Sequence, residues 1–125
     1  MTENEITSII LDRSILIHKT LGPGLLESVY ETCLFHELSK AHLSLERQKA
    51  MPLIYDEIHM ESGYRIDLMV ERKVIVEVKS VEALNDLHLA QTLTYLRLSE
   101  CKVGLLINFN VSLLKNGFRR IVNNY

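Results

Sequence analysis

The chain opens on a helical pattern. Ile6, Ile9, Ile10, Leu16 and Ile17 recur at roughly helical spacing, with Asp12, Arg13 and Lys19 elsewhere, so residues 4–19 are expected to form a helix. Leu21-Gly22-Pro23-Gly24 breaks it. A second helix is expected from about residue 25 to 40, where Leu26, Val29, Tyr30, Cys33, Leu34, Leu38 and Ala41 form an apolar stripe at steps of three and four. The period then drops to two. Leu43, Leu45 and Arg47 alternate with polar neighbours, and a second run covers 52–58. Over 63–70, Tyr64, Ile66, Leu68 and Val70 share one face, with Arg65, Asp67 and Met69 on the other. Over 74–79, Val74, Val76 and Val78 oppose Ile75, Glu77 and Lys79. These β-branched runs read as strands. A third helix is expected at about 84–98 and a buried strand at 103–109. Residues 115–122 are ambiguous, with a short edge strand as one reading. Pro23 and Pro52 are placed at handovers between elements.

The order is two helices, three or four strands in a meander, a helix and a strand (α-α-β-β-β-β-α-β at its fullest). Meander strands pair antiparallel, whereas a strand reached through a crossover helix can pair parallel. The fold class is therefore α/β or α+β, with a mixed sheet flanked by helices.

The apolar faces also fix a register. With 71–73 as a three-residue loop, Val70 pairs with Val74 and Asp67 falls opposite Glu77. A two-residue loop would set Asp67 against Val76 and mix the faces. Two carboxylates become cross-strand neighbours, with β-carbons roughly 4.5–5.5 Å apart. Like charges so placed need solvent, a cation from Lys79 or Arg65, or a metal ion. Charged alternation on a solvated strand is common. Here, however, the stretch 74–79 is nearly all apolar, as in a strand covered on both faces, and charges there are costly without partners.

Length and composition bound the rest. The 125 residues make one domain, residues 1–125. A 47% hydrophobic and 24% charged composition excludes a disordered tail or a fibre. No apolar run approaches the roughly 20 residues of a membrane helix, and the N-terminus lacks a basic leader, so a soluble cytoplasmic protein is expected. Cys33 and Cys101 lack metal-ligand or redox spacing and read as buried thiols in a reducing compartment. The net charge of −2 supplies no global attraction for nucleic acid. Any such binding rests on local groups: Arg65, Arg72 and Lys73, or Lys115, Arg119 and Arg120.

Three further positions join the carboxylate pair. Glu27 opens the second helix, where an acid also suits the helix dipole. Gln91 and Tyr95, four apart on the third helix, share a face. Gln91 is the odder of the two, since an amide in an apolar stretch needs partners if buried. His88, one turn before Gln91, can face the same cleft.

Gly24-x-x-Glu27-x-x-Tyr30 resembles the signature of the small prokaryotic GxxExxY proteins of the PD-(D/E)XK nuclease superfamily. Tyr64-Arg65-Ile66-Asp67-Leu68, Val76-Glu77-Val78-Lys79-Ser80 and Gln91-Thr92-Leu93-Thr94-Tyr95 extend the resemblance, the last being similar to an element of RecB-like exonucleases. Ile66 stands where many members have proline. The resemblance implies a metal-dependent nuclease acting on DNA, with Mg²⁺ or Mn²⁺ held by Asp67, Glu77 and the Val78 carbonyl. Lys79 would position or activate the attacking water, and Glu27 would be a further acid. Gln91 and Tyr95 would contact the metal-bound water or the phosphate backbone, with Arg65 and Ser80 as further substrate-binding positions. The competing expectation is a non-catalytic nucleic-acid- or partner-binding module on the same fold. A homo-oligomer or partner protein could supply the missing DNA-binding surface.

Overall fold

The computed structural model describes all residues, Met1 to Tyr125. Helix α1 spans Glu3–Leu21. Thr2 caps it by accepting from the Glu5 amide at 3.1 Å, and Glu3 and Glu5 lie in its first turn, where acids complement the dipole. It stops at Gly22, whose φ of 72° with ψ of −174° is a positive-φ conformation open to glycine without a Cβ penalty. Helix α2 covers Glu27–Lys40 and α3 covers Asp86–Ser99. None of these helices is long and apolar enough to cross a membrane.

Five strands form one sheet: β1 Leu45–Tyr55, β2 Ile58–Val70, β3 Val74–Lys79, β4 Val103–Asn108 and β5 Phe118–Val122, in that spatial order. β1–β2, β2–β3 and β4–β5 pair antiparallel, whereas β3 and β4, joined through α3, pair parallel. This is the mixed sheet flanked by helices that the alternation predicts. The counting differs in one place. The runs at 43–47 and 52–58 are not two strands but one long edge strand that turns at Asp56-Glu57 into β2. Pro52 is inside β1, at a register shift between Met51 and Leu53, rather than at a handover. An edge strand tolerates a residue without an N–H. The ambiguous C-terminal segment resolves into a 3₁₀ turn, Leu114–Asn116, followed by edge strand β5.

The sheet separates two apolar cores. On one side Ile6, Ile10 and Ile17 of α1 and Tyr30, Leu34 and Leu38 of α2 pack on Leu68, Val70, Val74, Val76 and Val78. On the other, Leu96 of α3 packs with Ile66, Met69, Ile75 and Cys101. Burying a side chain such as Leu34 contributes about 1.5–3 kcal/mol. β3 and β4 are covered on both faces, which explains their near-continuous hydrophobicity.

One expectation about faces fails. Tyr64 and Ile66 do not share a side with Leu68 and Val70: the first two pack on the α3 side and the last two on the α1–α2 side. Strict alternation breaks between Ile66 and Leu68, at Asp67. β1 breaks with it. Arg47 pairs with Leu68 and Lys49 with Ile66, but the intervening rung is missing and Gln48 adopts a φ of 48°. A left-handed non-glycine residue costs about 1–2 kcal/mol. The kinked rung re-aims Asp67 out of the regular pleat.

Candidate metal and phosphate site

The β2–β3 hairpin has the register that the apolar faces dictate: Val70 pairs with Val74, Met69 with Ile75 and Leu68 with Val76. Left-handed Glu71 and Arg72 make the connecting loop. At the next rung the ladder stops. The Asp67 amide donates to Glu77 Oε2 at 2.9 Å, and the Val78 amide donates to Asp67 Oδ2 at 2.9 Å. Each carboxylate thus takes a main-chain donor from the opposite strand.

The two acids differ in environment. Glu77 is 4% exposed, and Asp67 is partly buried and lines a cavity of about 410 Å³ with Glu27, Glu31, Gln48 and Val78. Burial pushes Glu77 up to about 8, the Asp67 charge adds to this, and the Asp67 amide and Lys79 oppose it. Asp67 is also raised, by burial first, against the Val78 amide. Lys79 is close enough to lower both acids electrostatically, yet it forms no ion pair within 4.0 Å. Burial raises the Tyr95 hydroxyl, and the charges of Glu77 and Asp67 raise it further. Its ring lies 4.8 Å from that of Tyr64.

Glu27 arrives by a different route. Leu26, at the N-cap, contributes no capping side chain. Instead the Tyr30 hydroxyl donates to Gly22 O at 2.6 Å and accepts from the Leu25 amide at 3.1 Å, while its ring stacks on Phe109. Gly24, at φ 100°, supplies the turn between them. With the loop so pinned, Glu27 Oε2 accepts from the Ser80 amide at 3.2 Å, and the Ser80 hydroxyl donates to Leu25 O at 2.6 Å. The Gly-x-x-Glu-x-x-Tyr spacing therefore joins the start of α2 to the end of β3, just past Lys79.

Other expected residues stand apart from the pair. Gln91 is exposed, with no hydrogen-bond partner, because it lies on the solvent face of α3, off the stripe by which Thr92 and Leu96 enter the core. It is not the buried amide its apolar neighbours implied. Arg65 is committed to the kinked rung, donating to Gln48 O at 2.9 Å. His88 closes a capping box with Asn85 rather than facing a cleft. Three participants were not singled out from the sequence. Glu31, one turn after Glu27, accepts from Arg47 Nε at 2.7 Å and from Gln48 Nε2 at 2.6 Å, and Gln48 Nε2 also donates to Asp67 Oδ1 at 3.1 Å. The signal for Glu31 was its i,i+4 spacing from Glu27. Gln48 carried none.

A model of the PD-(D/E)XK nuclease superfamily matches residues 4–121. The chain belongs to this superfamily. No curated protein and no solved structure matches. PD-(D/E)XK nucleases generally use divalent metals such as Mg²⁺ and act on nucleic acid. The donors here suit such an ion in one form only. No three His, Cys, Asp or Glu side chains converge into a cage. Two adjacent carboxylates, one buried with no paired cation, match an ion that keeps most of its water and takes one or two protein carboxylates, as Mg²⁺ does.

Proposed function

We propose that the chain, as one PD-(D/E)XK domain of the prokaryotic GxxExxY type with a RecB-like Gln-x-x-x-Tyr element, is a cytoplasmic metal-dependent deoxyribonuclease. The observation that carries this reading is the reciprocal exchange between Asp67 and β3. It sets Asp67 at the cavity with buried Glu77 behind it, and Lys79 is near enough to act on both electrostatically.

Asp67, Glu77 and the Val78 carbonyl would hold Mg²⁺ or Mn²⁺. A bound ion would polarise a phosphoryl oxygen, lower the pKa of a coordinated water and offset charge on the leaving oxygen. Lys79 places an ammonium where charge grows on the phosphate and orients the attacking water. Glu27, tied to the Ser80 amide, is the further acid at the same mouth. Tyr95 and exposed Gln91 present hydroxyl and amide to the backbone of a bound strand. Arg65 and Ser80 support the site from behind, since their polar atoms hold Gln48 and Leu25. The net charge of −2 remains poorly suited to a duplex carrying one charge per about 1.7 Å. A second copy or a partner therefore completes the DNA-binding surface. The uncovered apolar end of the β1–β2 hairpin, with Tyr55 and Ile58, supports such an association.

The test is cleavage of linear duplex and single-stranded DNA by purified protein with Mg²⁺ or Mn²⁺. Wild type is expected to cut, and Asp67→Ala and Lys79→Ala are expected to fall at least about a hundredfold. Equal cutting by all three overturns the assignment. No cutting together with no Mn²⁺ binding favours the non-catalytic binding module.

A further inference from the structure

One group in the cavity has two unusual properties. Gln48 is an exposed residue in a left-handed backbone conformation, and its side-chain nitrogen sits between two carboxylates. Its two N–H groups are both used, one toward Glu31 Oε1 at 2.6 Å and one toward Asp67 Oδ1 at 3.1 Å. The backbone is held too, since Arg65 donates to Gln48 O at 2.9 Å. Glu31 is anchored in turn by Arg47 Nε at 2.7 Å, and Arg47 also reaches Thr32 and lies over the Phe35 ring. A strained residue fixed at both ends and aimed at a carboxylate is the signature of a positioning group.

We infer that Gln48 is a positioning residue for Asp67, acting with Glu31, and that it sets the orientation in which the Asp67 carboxylate meets a divalent cation. This rests on the metal-dependent reading above and adds residues that reading does not use. A carboxylate offers about four lone-pair sites. The Val78 amide occupies one on Oδ2 and the Gln48 amide one on Oδ1, so the plane of the group is fixed and the remaining lone pairs have fixed directions. Glu31 keeps the amide from turning its oxygen toward Asp67, because only the NH₂ end can serve two acceptors. Arg47 donates to the other oxygen of Glu31, so both of its oxygens are held.

The test is Mn²⁺ titration by calorimetry on the DNA-free protein, with thermal midpoints measured in parallel. Gln48 is exposed, so Gln48→Ala is expected to fold with its midpoint little changed. Its Mn²⁺ affinity is expected to fall about ten- to hundredfold, as for other groups that orient metal ligands. Gln48→Glu keeps the length but points acceptors at both acids, and is expected to bind no more tightly than Gln48→Ala. Glu31→Gln is expected to weaken binding more in the wild-type background than in Gln48→Ala, because part of its effect passes through the amide and only its charge acts on Asp67 directly. Should Glu31→Gln fail to fold, the two Gln48 variants decide the matter. Wild-type affinity in Gln48→Ala overturns the positioning role while leaving the metal site standing. Tighter binding by Gln48→Glu overturns it in favour of a direct ligand position. A wild-type protein that binds no Mn²⁺ overturns both this role and the metal reading beneath it.

Discussion

The amide of Asp67 and the carboxylate of Glu77 form a 2.9 Å hydrogen bond where a β-ladder would place a carbonyl. With its reciprocal, from the Val78 amide to Asp67, this bond ends the pairing of β2 with β3 and lets the acids occupy the gap between the strands. Charged acceptors make such bonds stronger than neutral ones. They hold the carboxylates in place but do not neutralise them, and in the metal-free protein burial wins at Glu77.

That balance fixes a pH dependence. Glu77, ordinarily near 4.5, is raised to about 8 in the fold by burial. The folded protein therefore holds a proton that the unfolded chain has released. Stability from this group is fully present below the unfolded value and is lost as pH rises through the folded one. Asp67, also raised, acts with the same sign. The wild-type thermal midpoint without metal is expected to fall between about pH 5 and 8, by the equivalent of a few kcal/mol. Glu77→Gln flattens the curve. Mn²⁺ at pH 8 raises the wild-type midpoint, because the ion binds the ionised form. Parallel curves for wild type and variant sink this account.

Tyr30 offers a second prediction. Its hydroxyl holds the loop between Gly22 and Leu25 at both ends. Tyr30→Phe keeps the stacking on Phe109 but leaves two main-chain groups without this partner. A loss of about 1–3 kcal/mol is expected, read as a midpoint several degrees lower. Because the same loop presents Glu27 to Ser80, cleavage should fall further than the folded fraction does. Denaturation and cleavage measured on the same preparation check both.

The sheet, the helices and the Val70–Val74 register were legible because apolar periodicity responds to burial, and burial here is nearly complete along β3 and β4. That Asp67 meets Glu77 followed from counting, although the ladder stops one rung short of them and the contact is a main-chain to side-chain hydrogen bond. The break in alternation at Asp67 was not legible. Ile66 is as hydrophobic as its neighbours, and the break coincides with left-handed Gln48 on another strand, a polar residue with no pattern of its own. Gln91 misled for a related reason. Leucine, alanine and threonine around it suggest a buried face, yet Leu87 is 75% exposed and only Thr92 and Leu96 of α3 are buried.

Exposure of Gln91 makes its substitution informative. Gln91→Ala removes no contact, so its stability change is expected to stay within about 0.5 kcal/mol. If the amide meets the phosphate backbone, the KM for DNA rises several-fold while Mn²⁺ affinity stays at the wild-type value. Leu96→Ala, at the residue next to Tyr95 and fully buried, provides the contrast: about 2–5 kcal/mol of stability is lost there. Unchanged KM and kcat in Gln91→Ala would remove this residue from the substrate surface.

Gly117 tests how the segment after Lys79 is held. A Cβ there would stand 2.1 Å from the main-chain oxygen of Asn108, a contact that no flexible side chain can relieve. The Asn108 amide donates to Gly117 O at 2.8 Å, so the two backbones are locked at that separation. The Asn108 side chain in turn accepts from the Val81 amide at 3.1 Å and donates to Val81 O at 3.0 Å, fixing the chain that leaves β3. Lys79 lies beside Asn108 in the parallel pair, and its carbonyl accepts from the Phe109 amide. Gly117→Ala must push β4 and the 3₁₀ turn apart, at a cost of about 1–3 kcal/mol for an overpacked site. The displacement falls on Asn108, which pairs with Lys79 and holds Val81. Cleavage per folded molecule is therefore expected to drop along with the midpoint, whereas Asn116→Ala, exposed on the same turn, should change neither. A Gly117→Ala protein with full specific activity would show that the position of Lys79 does not depend on this packing.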